Sequence, residues 1–189
     1  MGKQKIVGFG DPVLRTAARP VRVFHKKLHS LLDSMWEVLD AKDNGAALAA
    51  PQISVLKKIV VIDYQDEKLE LINPEICACE GEQTDYESCL SFPSYIGLVP
   101  RFEQVTVNFQ TRTGAPKKIR RSGPMSRCLQ HEIDHLNGIL FVDRMVEEQL
   151  MHQETKETID LKSVLEMVNG EGNPEAYRKL QPAVAGTRK

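Results

Sequence analysis

A chain of 189 residues with 41% hydrophobic content can bury its own core, so it needs no disulfide or metal staple merely to fold. Its charged residues, 27% of the chain, nearly cancel to a formal −1, which leaves no basic footprint for DNA and none for an anionic membrane. No run approaches the roughly 20 apolar residues of a bilayer span, residues 1–10 lack the apolar stretch of a secretory signal, and Ile6 stands where a myristoylation signal wants Ser or Thr; the expected location is the cytoplasm.

Residues 11–23, with Pro12 and Pro20, read as an extended arm. From Lys26 to Lys42 the apolar positions Leu28, Leu31, Leu32, Met35, Val38 and Leu39 recur at three- and four-residue steps, which predicts a one-faced helix stopped by Asn44-Gly45. Next comes a run of small residues, Gly45 to Ala50, closed by Pro51-Gln52; small side chains let another element or a ligand approach the backbone. Residues 57–63 and 69–73 read as buried strands, and 104–111 as another, with Thr113-Gly114 as a turn. Pro124 to Asn137 is a second helix, stopped by Gly138. Val146 to Val168 is helix-prone, and beyond Asn169-Gly170 the chain turns Gly-, Pro- and charge-rich. The expected organisation is one catalytic domain over residues 1–168 and a mobile tail over 169–189. Helix, many short strands, helix and tail suggest α+β with largely antiparallel pairing rather than βαβ alternation.

Four cysteines, Cys77, Cys79, Cys89 and Cys128, are expected to stay reduced, and each is then a buried apolar thiol or a ligand. Cys77 and Cys79 read as packing residues. The chemistry concentrates in His131-Glu132-Ile133-Asp134-His135. On a helix, positions i and i+4 share a face, so both imidazoles reach one metal ion, and Glu132 is placed to take a proton from water beside it. Two histidines on a merely solvated helix are the bland alternative. Leu129, Ile133, Leu136, Ile139, Leu140 and Phe141 argue against it, because they mark the helix as buried, and buried histidines need partners. A catalytic site of this kind takes three protein ligands. Downstream stand Asp143, Glu147, Glu148, His152 and Glu154, of which His152 is the residue a metalloprotease would use. Upstream stands Cys89, which taken alone is more often core than ligand.

Three segments together resemble the peptide deformylases. Gly45 to Gln52 resembles their Gly-x-Gly-Leu-Ala-Ala-x-Gln motif, Glu87 to Ser91 resembles Glu-Gly-Cys-Leu-Ser, and His131 to Gly138 matches His-Glu-x-x-His with the Leu-x-Gly that follows. Asp11 to Arg15, Gln130 and Leu140 to Arg144 agree in position, so the resemblance covers roughly residues 6 to 150.

The resemblance implies one divalent metal per chain, Fe2+, with Zn2+, Ni2+ or Co2+ able to substitute, held by Cys89, His131 and His135. It implies removal of the formyl group from N-formylmethionyl nascent peptides. Glu132 would be the general base, and the Gln52 amide and the Leu90 N–H the oxyanion donors. The backbone around Gly45, Ala46 and Ala47 would pair with the substrate, and Cys128 and Leu129 would line an apolar pocket for methionine. Asp134 and Arg101 would form an ion pair near the site, whereas His25 and His29 read as exposed. Arg178, Lys179, Arg188 and Lys189 are candidates for ribosome contact, with a solvated tail as the default.

Two positions depart from the family pattern. Ala47 replaces its second glycine, and Ser88 the glycine before the cysteine. A positive φ or a close substrate approach at Ala47 would narrow the site, whereas ordinary backbone at both tolerates the change. Two rivals remain: an endopeptidase using His152 or a downstream carboxylate as third ligand, and a catalytically quiet relative that only binds peptide termini.

Overall fold

The computed structural model describes residues 4–42 and 45–164. A 3-10 turn (Pro12–Arg15) leads to α1 (Lys26–Asp40), β1 (Ala47–Ala49), a second 3-10 turn (Ala50–Ile53), β2 (Ile59–Tyr64) and β3 (Glu67–Glu80). Then come β4 (Gln83–Cys89), β5 (Phe92–Arg101), β6 (Gln104–Gln110), β7 (Pro116–Ser122) and α2 (Gly123–Leu136). A third 3-10 turn (Phe141–Asp143), β8 (Gln149–His152) and β9 (Thr158–Asp160) follow, and residues 161–164 open a C-terminal helix. The strands form two sheets, in the orders β1-β2-β3-β6-β7 and β4-β5-β8-β9, and every named pair is antiparallel. This is the α+β arrangement expected, with the HExxH helix at its centre. No helix among the described residues is long and apolar enough to cross a membrane.

The five-stranded sheet is covered on both faces, and β2 shows why its four residues Ile59 to Ile62 are all apolar. Side chains alternate along a strand. Ile59 and Val61 therefore join Leu28, Leu32, Met35 and Leu39 of α1 in one cluster, while Val60 and Ile62 join Met125, Leu129, Ile133 and Leu136 of α2 in another. Each such side chain taken from water contributes about 1.5–3 kcal/mol. A third cluster, with Leu14, Phe92, Val99, Phe141 and Leu150, packs the second sheet against the chain that leaves α2. The helix bearing the motif is thus held by its apolar face, and its opposite face is turned toward β4.

Four expectations need correction. The N-terminal arm is not extended throughout: Asp11 caps the turn at Pro12–Arg15 by accepting the Val13 N–H at 2.9 Å, as Asp-Pro sequences favour. Cys77 and Cys79 are exposed, because β3 runs on, past two register shifts, beyond the cover of the helices. His29 is half-buried, its Nε2 2.9 Å from the Arg112 carbonyl oxygen, whereas His25 is exposed as expected. The helix expected from Val146 begins only at Leu161; β8 instead pairs with β5, placing Leu150 in the third cluster and the His152 ring edge-on to Tyr95 at 5.3 Å. Tertiary pairing outweighs local helix propensity there. Asn44, the helix expected from Leu165 to Val168, and the tail with its four basic residues lie outside the described residues.

Candidate active site

Three elements converge on one point. β4 ends at Cys89, α2 presents His131 and His135 one turn apart, and the second 3-10 turn carries Gln52. The Cys89 Sγ and one ring nitrogen of each histidine lie within 4.8 Å of one another, with Cys89 Sγ 3.3 Å from His135 Nε2. One thiolate and two imidazoles at that spacing fit a small divalent cation with one position left for substrate or water. Among the described residues this is the one grouping of three such donors. His152 is elsewhere: its Nδ1 accepts the backbone N–H groups of Glu154 and Thr155, each at 3.3 Å.

The histidines are set in different environments. His131 Nδ1 meets Glu87 Oε2 at 2.8 Å, which fixes its ring and leaves Nε2 for the centre. Burial opposes protonation of His131, but hydrogen bonds to Cys89 and Glu87 outweigh it and push its pKa well up. Burial, reinforced by His131 and the nearby arginines, pushes His135 well down and keeps it neutral, as a ligand must be. Burial would raise the Glu87 carboxyl, yet hydrogen bonds from Arg101 and His131 hold it far below the usual range. Arg101 Nε and Nη2 grip Glu87 at 2.8 and 2.9 Å, and its Nη1 donates to Asp134, which Arg144 also holds at 2.5 and 2.6 Å. The expected Arg101–Asp134 pair is therefore present, as part of a larger network that is buried except at Arg144.

Glu132 lies beside the three donors. Burial pushes its carboxyl up to about 7, and its Oε2 is buried with no protein partner. Gln52 is oriented from both ends: Oε1 accepts the Ala49 N–H at 2.8 Å, while Nε2 donates to Ser91 Oγ at 3.2 Å and lies 3.6 Å from Cys89 Sγ. Its amide protons thus point toward the centre. Leu90 follows Cys89 in the turn after β4 and lines the same cleft, a cavity of about 680 Å³ walled also by Ala46, Ala47, Cys128, His131 and Glu132. Ala47 and Ser88 both have negative φ, so neither replaces a glycine that the backbone requires for its conformation.

Two expected pocket residues are placed differently. Leu129 is turned into the core, because successive helix residues are about 100° apart and the face shared by Cys128, Glu132 and His135 excludes it. Gly45 is not on the cleft wall; its N–H donates to the Lys42 carbonyl at 3.2 Å, and a Cβ there would come within 2.8 Å of Leu39. Conversely, Glu87 and Arg127 had no role from sequence. Glu87 stands two residues before Cys89, and Arg127 four before His131, so strand and helix periods already placed each beside a ligand.

Residues 3–151 match the family described as polypeptide deformylase. A peptide deformylase of Desulfitobacterium hafniense is 50% identical over 145 residues, covering 76% of this chain and 95% of that one. One of Heliobacterium modesticaldum is 46% identical over 145 residues, covering 77% and 95%. The crystal structure of a peptide deformylase from Synechococcus elongatus in complex with actinonin superposes with a TM-score of 0.74 at 37% identity, covering 78% of this chain and 82% of that one.

Proposed function

The chain belongs to the polypeptide deformylase family of metallohydrolases, and we propose that it removes the formyl group from the N-terminal methionine of new polypeptides with Cys89, His131 and His135 holding the metal. The observation that carries this reading is the meeting of a thiol and two imidazoles within 4.8 Å beside the buried, unpartnered Glu132 oxygen. By family resemblance the metal is Fe2+; the donor set accepts Zn2+, Ni2+ or Co2+ as well. A cation bound there supplies Lewis acidity, acidifying water and polarising the formyl carbonyl.

The residues do the rest. Glu132 takes the proton of the attacking water and passes it to the leaving amine, so the formamide C–N bond breaks to give formate and a free N-terminus. As the carbonyl oxygen gains charge, the Gln52 amide and the Leu90 N–H donate to it. Gln52 is suited to this because its own carbonyl is already engaged by Ala49. The substrate main chain lies along Ala46 and Ala47: β1 is the edge of its sheet, and the Ala46 carbonyl is taken up by the Asp63 N–H at 2.8 Å, on the side of β2. Cys128 lines the methionine pocket. The site of action is the cytoplasm, where formylated nascent chains arise.

Mass spectrometry of a formyl-Met peptide incubated with the metal-loaded chain tests this. Loss of the formyl group alone supports the reading, whereas internal peptide cleavage would favour an endopeptidase. The placement of His152, away from the three donors and occupied by two backbone N–H groups, speaks against that rival.

A further inference from the structure

Arg127 lies on α2 one turn before His131 and is 8% exposed. Its Nη1 donates to Glu87 Oε1 at 2.8 Å and to the Val99 carbonyl of β5 at 2.9 Å, and it reaches the Asp85 carbonyl of β4 at 3.4 Å. Glu87 and Cys89 belong to one strand; Arg127, His131 and His135 belong to one helix. A single guanidinium therefore ties the strand that supplies the thiolate to the helix that supplies both imidazoles. Arg101 grips the same carboxylate from β5 and holds α2 at Asp134, three residues past His131. Arg127 is the hold on the other side of that histidine. Both clamps bear on the strand and helix that set His131 against Cys89.

We propose that Arg127 is a positioning residue that sets the spacing of β4 and α2, and so how tightly Cys89, His131 and His135 hold a divalent cation. The inference rests on the ligand set proposed above. An arginine suits the position because its second arm, Nη2, reaches the Gln83 carbonyl of β4 at 3.4 Å while Nη1 serves Glu87 and Val99, a spread that a lysine's point charge does not cover. Groups that orient a metal ligand from behind typically change affinity by about 10–100-fold when removed.

The test uses Co2+ as the probe, with its affinity measured by chelator competition on the full chain, alongside the thermal midpoint of the metal-free protein. Arg127→Met is expected to weaken Co2+ binding about tenfold or more, and Arg127→Lys by a smaller factor. Arg121→Leu, which removes the pairing with Glu67 away from the cleft, is expected to leave Co2+ affinity unchanged. Should Arg127→Met fail to fold without metal, Arg127→Lys carries the test. Wild-type Co2+ affinity in the Arg127 variants, even with a lowered thermal midpoint, overturns the proposal, because a merely structural role would give that result. If Cys89→Ala binds Co2+ as tightly as wild type, the ligand assignment itself fails, and this inference with it.

Discussion

In the metal-free chain burial, with the Glu87 charge adding to it, pushes the Glu132 carboxyl up to about 7. A free glutamate titrates near 4.3. Between those values the folded state binds the proton more tightly than the unfolded one, so stability falls as pH rises from about 4 to about 7 and levels off above. The loss is on the order of 3 kcal/mol. Glu132→Gln cannot ionise and escapes it. Urea unfolding of the metal-free proteins should show the variant more stable than wild type by that order at pH 8 and nearly equal at pH 4; a difference independent of pH contradicts the argument. The same scale separates the ligand sets: Cys89→Ala should abolish metal binding, and His152→Ala should leave it intact, as metal content after gel filtration would show.

At the scale of elements, α2 is positioned at its C-terminal end by Gly138. That residue has φ +73°, and a Cβ on it would lie 2.6 Å from the Arg15 carbonyl oxygen. Gly138→Ala should therefore cost about 2–4 kcal/mol, combining backbone strain with displacement of the Arg15 strap. Thermal unfolding checks this, and a change below about 1 kcal/mol would show that the strap moves freely. Both long helices were legible because their apolar residues repeat at helical spacing, and the three site segments because their spacings match a known family. What periodicity could not give was which neighbours compete for a segment. The stretch from Val146 reads as helix alone, but β5 offers it an edge to pair with. Leu129 and Cys128 adjoin in sequence and touch the same apolar cluster, yet the turn of about 100° between them brings only Cys128 to the cleft. Cys77 and Cys79 look like core until the strand is seen to outrun its cover.

The described residues rest on three apolar clusters in which Cys89 is the one proposed ligand, so the fold is expected to persist without the metal. A chelated sample should keep its far-ultraviolet dichroism and unfold cooperatively, at a midpoint below that of the loaded protein by an amount that grows with metal concentration. Collapse of the spectrum on chelation would contradict this. The clusters position the site; the chemistry is assigned to Glu132 acting beside a bound cation. The most direct measurement is formate release from a formyl-Met tripeptide by anaerobically prepared, Fe2+-loaded wild type and by Glu132→Ala with equal metal content. The account predicts turnover in the first and a loss of about 10²–10⁴-fold or more in the second. Comparable turnover in both, or none from the fully metallated wild type, would contradict it.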